Sequence, residues 1–419
     1  MENEMKRIRF QLEKYGKVQG VMSIVNEETL KEEHKRQPSG KAKGVDGEDK
    51  ETYEENLDEN IANLVNRMKA FQYKPLPVRR AYIPKLDGRR RPLGIPAYED
   101  RLVQGVMADI LNEIYEPKFL DCSYGFRPRR GCHDAVRYIN NAVMFENINW
   151  VVEADIKGFF DHVNHDKLME MLAYDIQDKN FLRYVKRFLI AGILENGVFQ
   201  ESEEGTPQGG LISPILANIY LHYALDTWIM YTVKSHCTGT MCYARYADDF
   251  VVLFQYEDEA RKFLQSLRIR LAKFSLQLAE DKTRILPFGR RVAQKDDFDF
   301  LGFTFYNTLT RRDTYRVGVR TSTKKLSIKM KDIKKWIHDN MHIDVNFLLE
   351  TINLKYRDHC QYYGVNGNFN ALAKFKKYIM YILWKALRRR SQKDKFPFIL
   401  LAKLWEEFVA KPRIYVQIW

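Results

Sequence analysis

The chain has 419 residues, of which 45% are hydrophobic and 29% charged, so it is a globular protein with room for two or three domains. Lys and Arg number 68 against 55 Asp and Glu, a net charge of +13 that favours a polyanionic partner, although many other proteins are basic. Five cysteines without a CxxC pair indicate reduced thiols and no zinc site. No signal peptide is recognisable, and no apolar run reaches about 18 residues, so a cytoplasmic protein without a membrane span is expected.

The first predicted elements are helices and then a basic two-stranded ribbon. Residues 1–75 are polar and helical in pattern. Strand-like runs follow at 78–85 and 89–96, and Leu-Asp-Gly at 86–88 favours a hairpin turn between them. The Lys and Arg side chains of this ribbon allow two interpretations. It is either a solvated edge protected by charge or a finger that closes on a triphosphate, where cations offset the charge of the transferred phosphoryl group.

An aromatic and arginine-rich loop comes next, with Tyr-Gly-Phe-Arg-Pro at 124–128. Aromatic rings stack on bases and arginines pair with phosphates, so such a loop can hold nucleic acid. A Gly/Pro turn with surface arginines is the alternative interpretation.

Two later stretches place carboxylates at the ends of predicted strands. An apolar run from Trp150 ends at Asp155, and Tyr-Ala-Asp-Asp at 246–249 predicts a tight turn between runs at 241–244 and 250–254. Neighbouring carboxylates repel each other unless a cation lies between them, and Mg²⁺ prefers a few carboxylates together with substrate phosphates. An Asp-Asp pair alone is more often a turn that caps itself. The third carboxylate, Asp155, makes a metal site the favoured interpretation.

The segment between these motifs predicts a helical stretch at about 165–193 and then a glycine-rich loop, Gly-Thr-Pro-Gln-Gly-Gly at 205–210. A backbone this rich in Gly and Pro can approach a base pair closely, and Gln208 offers both a donor and an acceptor; a plain loop before a helix is the alternative. Downstream, Lys282 lies in a predicted turn, where a functional lysine and an ordinary surface lysine are equally good interpretations. The run 298–303 is apolar and hairpin-like, and core packing competes with a binding role there.

The last third of the chain is helical in pattern and strongly basic in part. Residues 311–335 contain ten Lys or Arg against two acids, an excess too one-sided for a surface of salt bridges. Contacts of such a segment with phosphates would make binding salt-dependent.

Together these motifs resemble those of reverse transcriptases, and more closely those of bacterial group II intron-encoded reverse transcriptase/maturases. The resemblance rests on Asp155 followed by Phe159 and Phe160, on Tyr-Ala-Asp-Asp at 246–249, and on the strings at 124–128 and 205–214. It extends from about Gly44 to Arg413. No Cys/His endonuclease module is recognisable after it, so DNA cleavage by the protein is not expected.

The resemblance implies an α/β (α+β) fold with the right-hand architecture of polymerases. It implies fingers, a palm made of an antiparallel sheet with helices, and a helical thumb and maturase domain. The expected boundaries are 1–75 for an N-terminal extension, 76–149 for the fingers, 150–305 for the palm with a finger-like insertion at 162–204, and 306–419 for the thumb and maturase (X) domain.

The resemblance also implies residue roles. Asp155, Asp248 and Asp249 would be catalytic and would hold two Mg²⁺ ions, with the carbonyl of Ile156 as a further ligand. The other expected contacts are Lys85 and Arg91 on the triphosphate, Phe160 as a steric gate against a ribose 2′-hydroxyl, Gln208 in the nucleotide pocket, Lys282 on the pyrophosphate, Tyr124 and Arg127 on the template, and Leu301 and Gly302 on the primer end.

The implied enzyme is an RNA-directed DNA polymerase, a nucleotidyltransferase that extends a primer 3′-hydroxyl with dNTPs. Its partners would be an RNA template, a DNA or RNA primer, and structured intron RNA whose splicing and retrohoming it assists; no membrane partner is expected. Two alternatives stay open: a domesticated relative in host defence, and a non-catalytic RNA-splicing scaffold. The three aspartates together with Gln208 weigh against the scaffold.

Overall fold

The structure is a computed structural model that describes residues 2–84, 90–195, 197–201, 204–206, 209–390 and 396–419. Three β-sheets and surrounding helices make up the mixed α/β architecture. The helices are α1 (Glu2–Tyr15), α2 (Glu27–Arg36), α3 (Lys50–Glu54), α4 (Leu57–Lys69), α5 (Tyr98–Tyr115), α6 (Cys132–Phe145), α7 (His165–Asp175), α8 (Lys179–Leu189), α9 (Ser213–Leu221), α10 (Lys234–His236), α11 (Glu257–Lys273), α12 (Thr323–Asp339), α13 (Val345–Tyr363), α14 (Phe369–Leu387) and α15 (Phe398–Phe408).

The strands fall into three groups along the chain. They are β1 (Val78–Pro84), β2 (Arg90–Ile95), β3 (Trp150–Ala154), β4 (Ile193–Glu195), β5 (Val198–Gln200), β6 (Met241–Tyr246), β7 (Asp249–Phe254), β8 (Arg284–Pro287), β9 (Phe298–Phe300), β10 (Phe303–Leu309) and β11 (Tyr315–Thr321). The strand orders are β2-β1-β4-β5, β6-β7-β3-β8 and β11-β10-β9.

The sheet β6-β7-β3-β8 is antiparallel, and β3 lies inside it between β7 and β8. Because side chains alternate along a strand, β3 contributes to both faces of the sheet. Val152 packs into one hydrophobic cluster and Val151 into another, and both are fully buried. Burial on both faces explains why β3 is an almost continuous apolar run, and it fixes the strand end that carries Asp155.

The sheet β2-β1-β4-β5 joins segments that lie far apart in sequence. β4 pairs in parallel with β1 at Val78↔Ile193, and β5 completes a hairpin with β4. The end of the segment expected as a finger-like insertion therefore shares a sheet with the strands expected to form the fingers.

Three hydrophobic clusters hold the chain together. The first contains residues from Ile8 to Leu278, so α1–α4 share a core with one face of the β3 sheet and do not stand apart from it. The third lies among α12–α15, from Leu326 to Val409. The boundary expected between 305 and 306 falls inside β10, and the helical C-terminal region begins only at Thr323.

One predicted helix is two helices. The stretch expected at 165–193 is interrupted between α7 and α8, where Ile176 forms a β-bridge with Val18. Asp178 then caps α8, since its carboxylate accepts the N–H groups of Asn180 and Phe181. An Asp at this position starts a helix more readily than it continues one, which is the physical reason for the break. Among the described helices, none combines the length and the apolar character needed to cross a membrane.

Candidate active site

Three aspartates meet at one edge of the β3 sheet. The antiparallel register pairs Ala154, the last residue of β3, with Phe250, so Asp155, which follows β3, comes opposite Asp249 at the start of β7. Asp248 lies in the turn between β6 and β7. The strand ends therefore bring together the carboxylates that the sequence pattern singled out.

The electrostatics of Asp249 confirm that the three carboxylates interact. The pKa of Asp249 is raised to about 6, first because surrounding protein displaces water from the carboxylate, then because Asp248 and Asp155 repel a further negative charge. The residue as a whole stays exposed, so the desolvation comes from protein crowding one side of the carboxylate and not from enclosure. Lys282 and Lys325 act in the opposite direction and lower this pKa.

Lys282 belongs to the same cluster. It sits in a short 3₁₀ turn, Glu280–Lys282, and its ammonium forms a hydrogen-bonded ion pair with the Asp155 carboxylate. That hydrogen bond is the largest cause of the raised pKa of Lys282. The Asp155 backbone is fixed as well, because its carbonyl accepts the N–H of Ala279 at 2.8 Å.

The donor set suits a hard divalent cation, because carboxylate oxygens that repel one another are what Mg²⁺ binds. Within the described part of the chain, no group of three His, Cys, Asp or Glu side chains is arranged to bind a metal ion. At Asp155 the positive charge comes instead from the Lys282 ammonium. Ile156 is buried and bridges to Leu278. The flanking Asp155 carbonyl and Lys157 N–H make the hydrogen bonds of that bridge, so the Ile156 carbonyl takes no part in them.

Phe160 follows the first aspartate in a single 3₁₀ turn, Phe159–Asp161. Its ring is half-buried and stands edge-on to the buried ring of Phe159, with centroids 5.3 Å apart. Its carbonyl accepts the N–H of Thr206 at 2.7 Å, and the carbonyl of Val163 accepts the N–H of Gly205 at 2.8 Å. The glycine-rich loop is therefore attached to the segment that carries Phe160.

The loop at 124–128 is folded differently from the prediction. Tyr124 is buried, and the Arg127 guanidinium is turned inward onto Glu116 and the carbonyls of Leu120 and Ser123. This placement does not fit a direct template contact by Tyr124 or Arg127, because both side chains are used to fold the loop.

In the stretch 124–130 the exposed residues are Phe126, Pro128 and Arg129. Phe126 and Arg129 both have a positive φ, 56° and 60°, which turns the chain sharply and directs these side chains outward. The sequence offers a Phe and three arginines here without showing which ones face solvent.

Leu301 and Gly302 form the turn between β9 and β10. The Leu301 carbonyl accepts the hydroxyl of Tyr362 at 2.9 Å, and the Gly302 carbonyl accepts the N–H of Ser322 at 2.9 Å. This turn is thus attached to Ser322, just before α12, and to the C-terminal end of α13.

Three of the nucleotide contacts expected from the sequence cannot be placed. Lys85 and Gln208 lie outside the described residues, and so does the side chain of Arg91. The backbone of Arg91 belongs to β2 and pairs with Ile83 of β1.

Two residues of this region were not predicted from the sequence to take part in the site. Lys325, near the start of α12, contributes to the electrostatics of Asp249, and only the tertiary fold brings it there. Arg245 is fully buried beneath the Asp248–Asp249 turn. A signal for Arg245 exists, because Met241 and Tyr243 occupy the same face of β6 and are buried, so an arginine two residues further on points into the core.

Comparison with known proteins shows the family to which this chain belongs. A model of the family described as reverse transcriptase (RNA-dependent DNA polymerase) matches residues 83–305. The group II intron-encoded protein LtrA of Lactococcus lactis subsp. cremoris is 30% identical over 412 residues, covering 80% of this chain and 68% of LtrA. The protein YkfC of Escherichia coli is 34% identical over 311 residues, covering 65% of this chain and 78% of YkfC. A 91 kDa protein in the cob intron of Schizosaccharomyces pombe is 42% identical over 169 residues, 40% of this chain and 21% of that protein.

Proposed function

Because this chain belongs to the reverse transcriptase family, we propose that it is an RNA-directed DNA polymerase of the group II intron-encoded type. It extends a primer 3′-hydroxyl with dNTPs at the site formed by Asp155, Asp248 and Asp249. The observation that carries the proposal is the convergence of these carboxylates, seen in the strand register and in the raised pKa of Asp249.

The three aspartates supply the negative charge that holds two Mg²⁺ ions, with the carbonyl of Ile156 as a further ligand. The bound ions would activate the primer hydroxyl and neutralise the triphosphate and the leaving pyrophosphate. Lys282, beside Asp155, is placed to meet negative charge on the leaving group once the carboxylate engages a cation.

Other side chains position the substrates. The half-buried ring of Phe160 blocks the space that a ribose 2′-hydroxyl would take, which selects dNTPs over rNTPs. The turn at Leu301 and Gly302 supports the primer end. We assign template contact to the exposed Phe126 and Arg129, while Lys85, Arg91 and Gln208 stay as contacts inferred from the resemblance.

Nucleic acid beyond the active site is held by the helical C-terminal region. The lysines of α12 are exposed along its length, and phosphate contacts there release counterions. They are Lys324, Lys325, Lys329, Lys331, Lys334 and Lys335. Since LtrA is named an intron-encoded protein, we include structured intron RNA, and assistance to its splicing, among the proposed partners and roles.

The test is primer extension on a primed RNA template with Mg²⁺ and dNTPs, comparing the wild type with Asp248→Ala. Loss of one carboxylate should reduce synthesis by about 10²- to 10³-fold, because it weakens the binding of the cation that neutralises charge on the reacting phosphate. The matched control is Asp281→Ala, which removes an exposed carboxylate next to Lys282 and should leave extension unchanged.

RNA binding, measured by filter retention, should be the same in all three proteins. Extension by Asp248→Ala at the wild-type rate would overturn the metal assignment. If none of the three proteins, the wild type included, extends a primer but all bind structured RNA tightly, the chain is a splicing scaffold and the polymerase proposal fails.

A further inference from the structure

A buried arginine lies directly beneath the catalytic turn. Arg245 of β6 and Asp226, which lies in the π-helical segment His222–Asp226, have completely buried side chains. They pair through two hydrogen bonds, from Nε to Oδ1 at 2.7 Å and from Nη2 to Oδ2 at 2.5 Å. The hydroxyl of Tyr243 also donates to this carboxylate, at 2.8 Å. A buried pair that satisfies its groups so fully is held in one geometry.

The remaining N–H groups of Arg245 reach three other segments. Nη1 donates to the Ala247 carbonyl at 2.9 Å and to Asn218 Oδ1 of α9 at 3.0 Å. Nη2 donates to the Ser123 hydroxyl at 2.8 Å. With the two bonds to Asp226, all five guanidinium N–H groups have an acceptor.

The bond to Ala247 fixes the turn itself. Ala247 has a φ of 55°, a left-handed conformation that is unfavourable for a residue with a Cβ and persists only where the surroundings impose it. Its carbonyl belongs to the peptide that enters Asp248, so a guanidinium holding that oxygen sets the direction in which Asp248 leaves the turn.

The loop at 123–125 supports the turn from the other side. The Gly125 carbonyl accepts the Asn218 side-chain amide at 2.7 Å. A Cβ on Gly125 would lie 2.4 Å from the Ala247 nitrogen, so only glycine allows the two backbones to touch. Arg245 and Asn218 thus connect the turn, the loop, α9 and the π-helical segment in one hydrogen-bonded unit.

We propose that Arg245 is a positioning residue: held in place by Asp226 and Asn218, it bonds to the Ala247 carbonyl and keeps the Asp248–Asp249 turn in the geometry that binds a divalent cation. The inference rests on the proposed function for its catalytic consequence. Residues that orient metal ligands typically change metal affinity or activity by 10- to 100-fold when they are removed.

The main test compares two buried carboxylates. Asp226→Asn weakens the support of the turn. Asp175→Asn is the matched control, because Asp175 is also buried and is also held by one cation, Lys118, and one tyrosine hydroxyl, Tyr223, yet these partners do not bond to the turn. Direct binding of Mn²⁺ is measured from the electron paramagnetic resonance signal of the free ion. The kcat, the half-activating Mg²⁺ concentration and the Tm are measured for the same variants.

Asp226→Asn should raise the Kd for Mn²⁺ and the half-activating Mg²⁺ concentration by about 10-fold, with activity partly recovered at high Mg²⁺. Asp175→Asn should lower Tm and leave both metal measurements unchanged. Equal effects of the two variants on Mn²⁺ affinity would show that stability alone is involved, and the proposal would fall.

Asn218→Ala keeps the test decisive if Asp226→Asn does not fold, because it leaves the ion pair intact and removes one acceptor of Arg245 and the bond to Gly125. It should shift Mn²⁺ affinity in the same direction, and an unchanged affinity overturns the proposal. If the wild type fails to extend a primer, the proposed function fails while the Mn²⁺ comparison still decides the role of Arg245.

Discussion

The two walls of the active site are built in different ways. The Asp248–Asp249 turn stands on a fully buried guanidinium with five hydrogen bonds to side chains and backbone. The Phe160 wall is a single 3₁₀ turn, and the glycine-rich loop is attached by one backbone hydrogen bond to Phe160 and by a second to Val163, just after the turn. The carboxylate turn is therefore held by a buried ion pair, whereas the segment of the proposed aromatic gate is attached through backbone hydrogen bonds.

The difference matches the demands on each wall. Carboxylates that bind a cation and act on a reacting phosphate need positions fixed to a fraction of an ångström. A gate only has to exclude one hydroxyl group, and a half-buried ring on a short turn is sufficient. Changes on the gate side should therefore alter selectivity more than rate, and changes on the carboxylate side should do the reverse.

Removal of the gate ring tests this comparison most strongly. Phe160→Ala should lower the preference for dNTPs over rNTPs by about 10- to 100-fold, a range typical of steric discrimination in a pocket. Extension with dNTPs should stay within a few-fold of wild type, since the carboxylates are untouched. Single-nucleotide incorporation measures both, and Phe145→Ala, which truncates an exposed aromatic ring elsewhere, is the control. Unchanged selectivity in Phe160→Ala would refute the gate assignment.

The attachment of the gate can be tested without touching its ring. Gly205 has a φ of 88°, and a Cβ there would lie 2.9 Å from the Phe160 carbonyl oxygen. Gly205→Ala should therefore move the gate and reduce dNTP selectivity by roughly 3- to 10-fold, less than loss of the ring.

Gly197→Ala is the control for backbone strain, because Gly197 has a φ of 82° and its Cβ would meet nothing within 4 Å. The same loss of selectivity in both variants would show that strain, and not contact with Phe160, is responsible.

On the carboxylate wall, the raised pKa of Asp249 predicts a conflict between function and stability. A carboxyl with a folded pKa of about 6, against 3.8 in the unfolded chain, destabilises the fold when ionised. The penalty is absent below about pH 4 and complete above about pH 6. Asp249→Asn should therefore raise Tm at pH 8 by about 1–2 °C, with no gain at pH 4, while primer extension is lost.

Thermal melts of the metal-free protein at the two pH values measure this effect, with Asp281→Asn as an exposed control. A lower Tm for Asp249→Asn at pH 8 would contradict the repulsion described for the three carboxylates. Protons compete with cations for Asp249, so the half-activating Mg²⁺ concentration of the wild type should rise as the pH falls through about 6.

The sequence predicted the carboxylate positions because strand ends and a tight turn are local features, visible in the runs that end at Asp155 and Asp248. It did not predict the support of the turn, because Asp226, Asn218 and Ser123 come from three separate segments and only tertiary packing brings them to Arg245.

The template loop shows the same limit. Its composition suggested the kind of contact, but the inward position of Arg127 depends on its ion pair with Glu116, and Tyr124 is fixed by the hydrogen bond from its N–H to the Arg245 carbonyl of β6. Which of several arginines faces solvent is decided by these long-range contacts, so residue type alone could not distinguish the buried Arg127 from the exposed Arg129.

The smallest expected effect concerns Lys282, whose side chain is largely exposed although it pairs with Asp155. Exposed ion pairs contribute only about 0–1 kcal/mol, so a cation should displace this ammonium easily. Lys282→Met should tighten Mn²⁺ binding in the absence of nucleotide by about 2- to 3-fold, because one competing positive charge is gone. Lys262→Met breaks another exposed lysine–aspartate pair, with Asp258, and should not change Mn²⁺ affinity. Weaker Mn²⁺ binding in Lys282→Met would mean that this lysine helps to build the cation site, and the contrast between a firmly held turn and a loosely paired Asp155 would have to be abandoned.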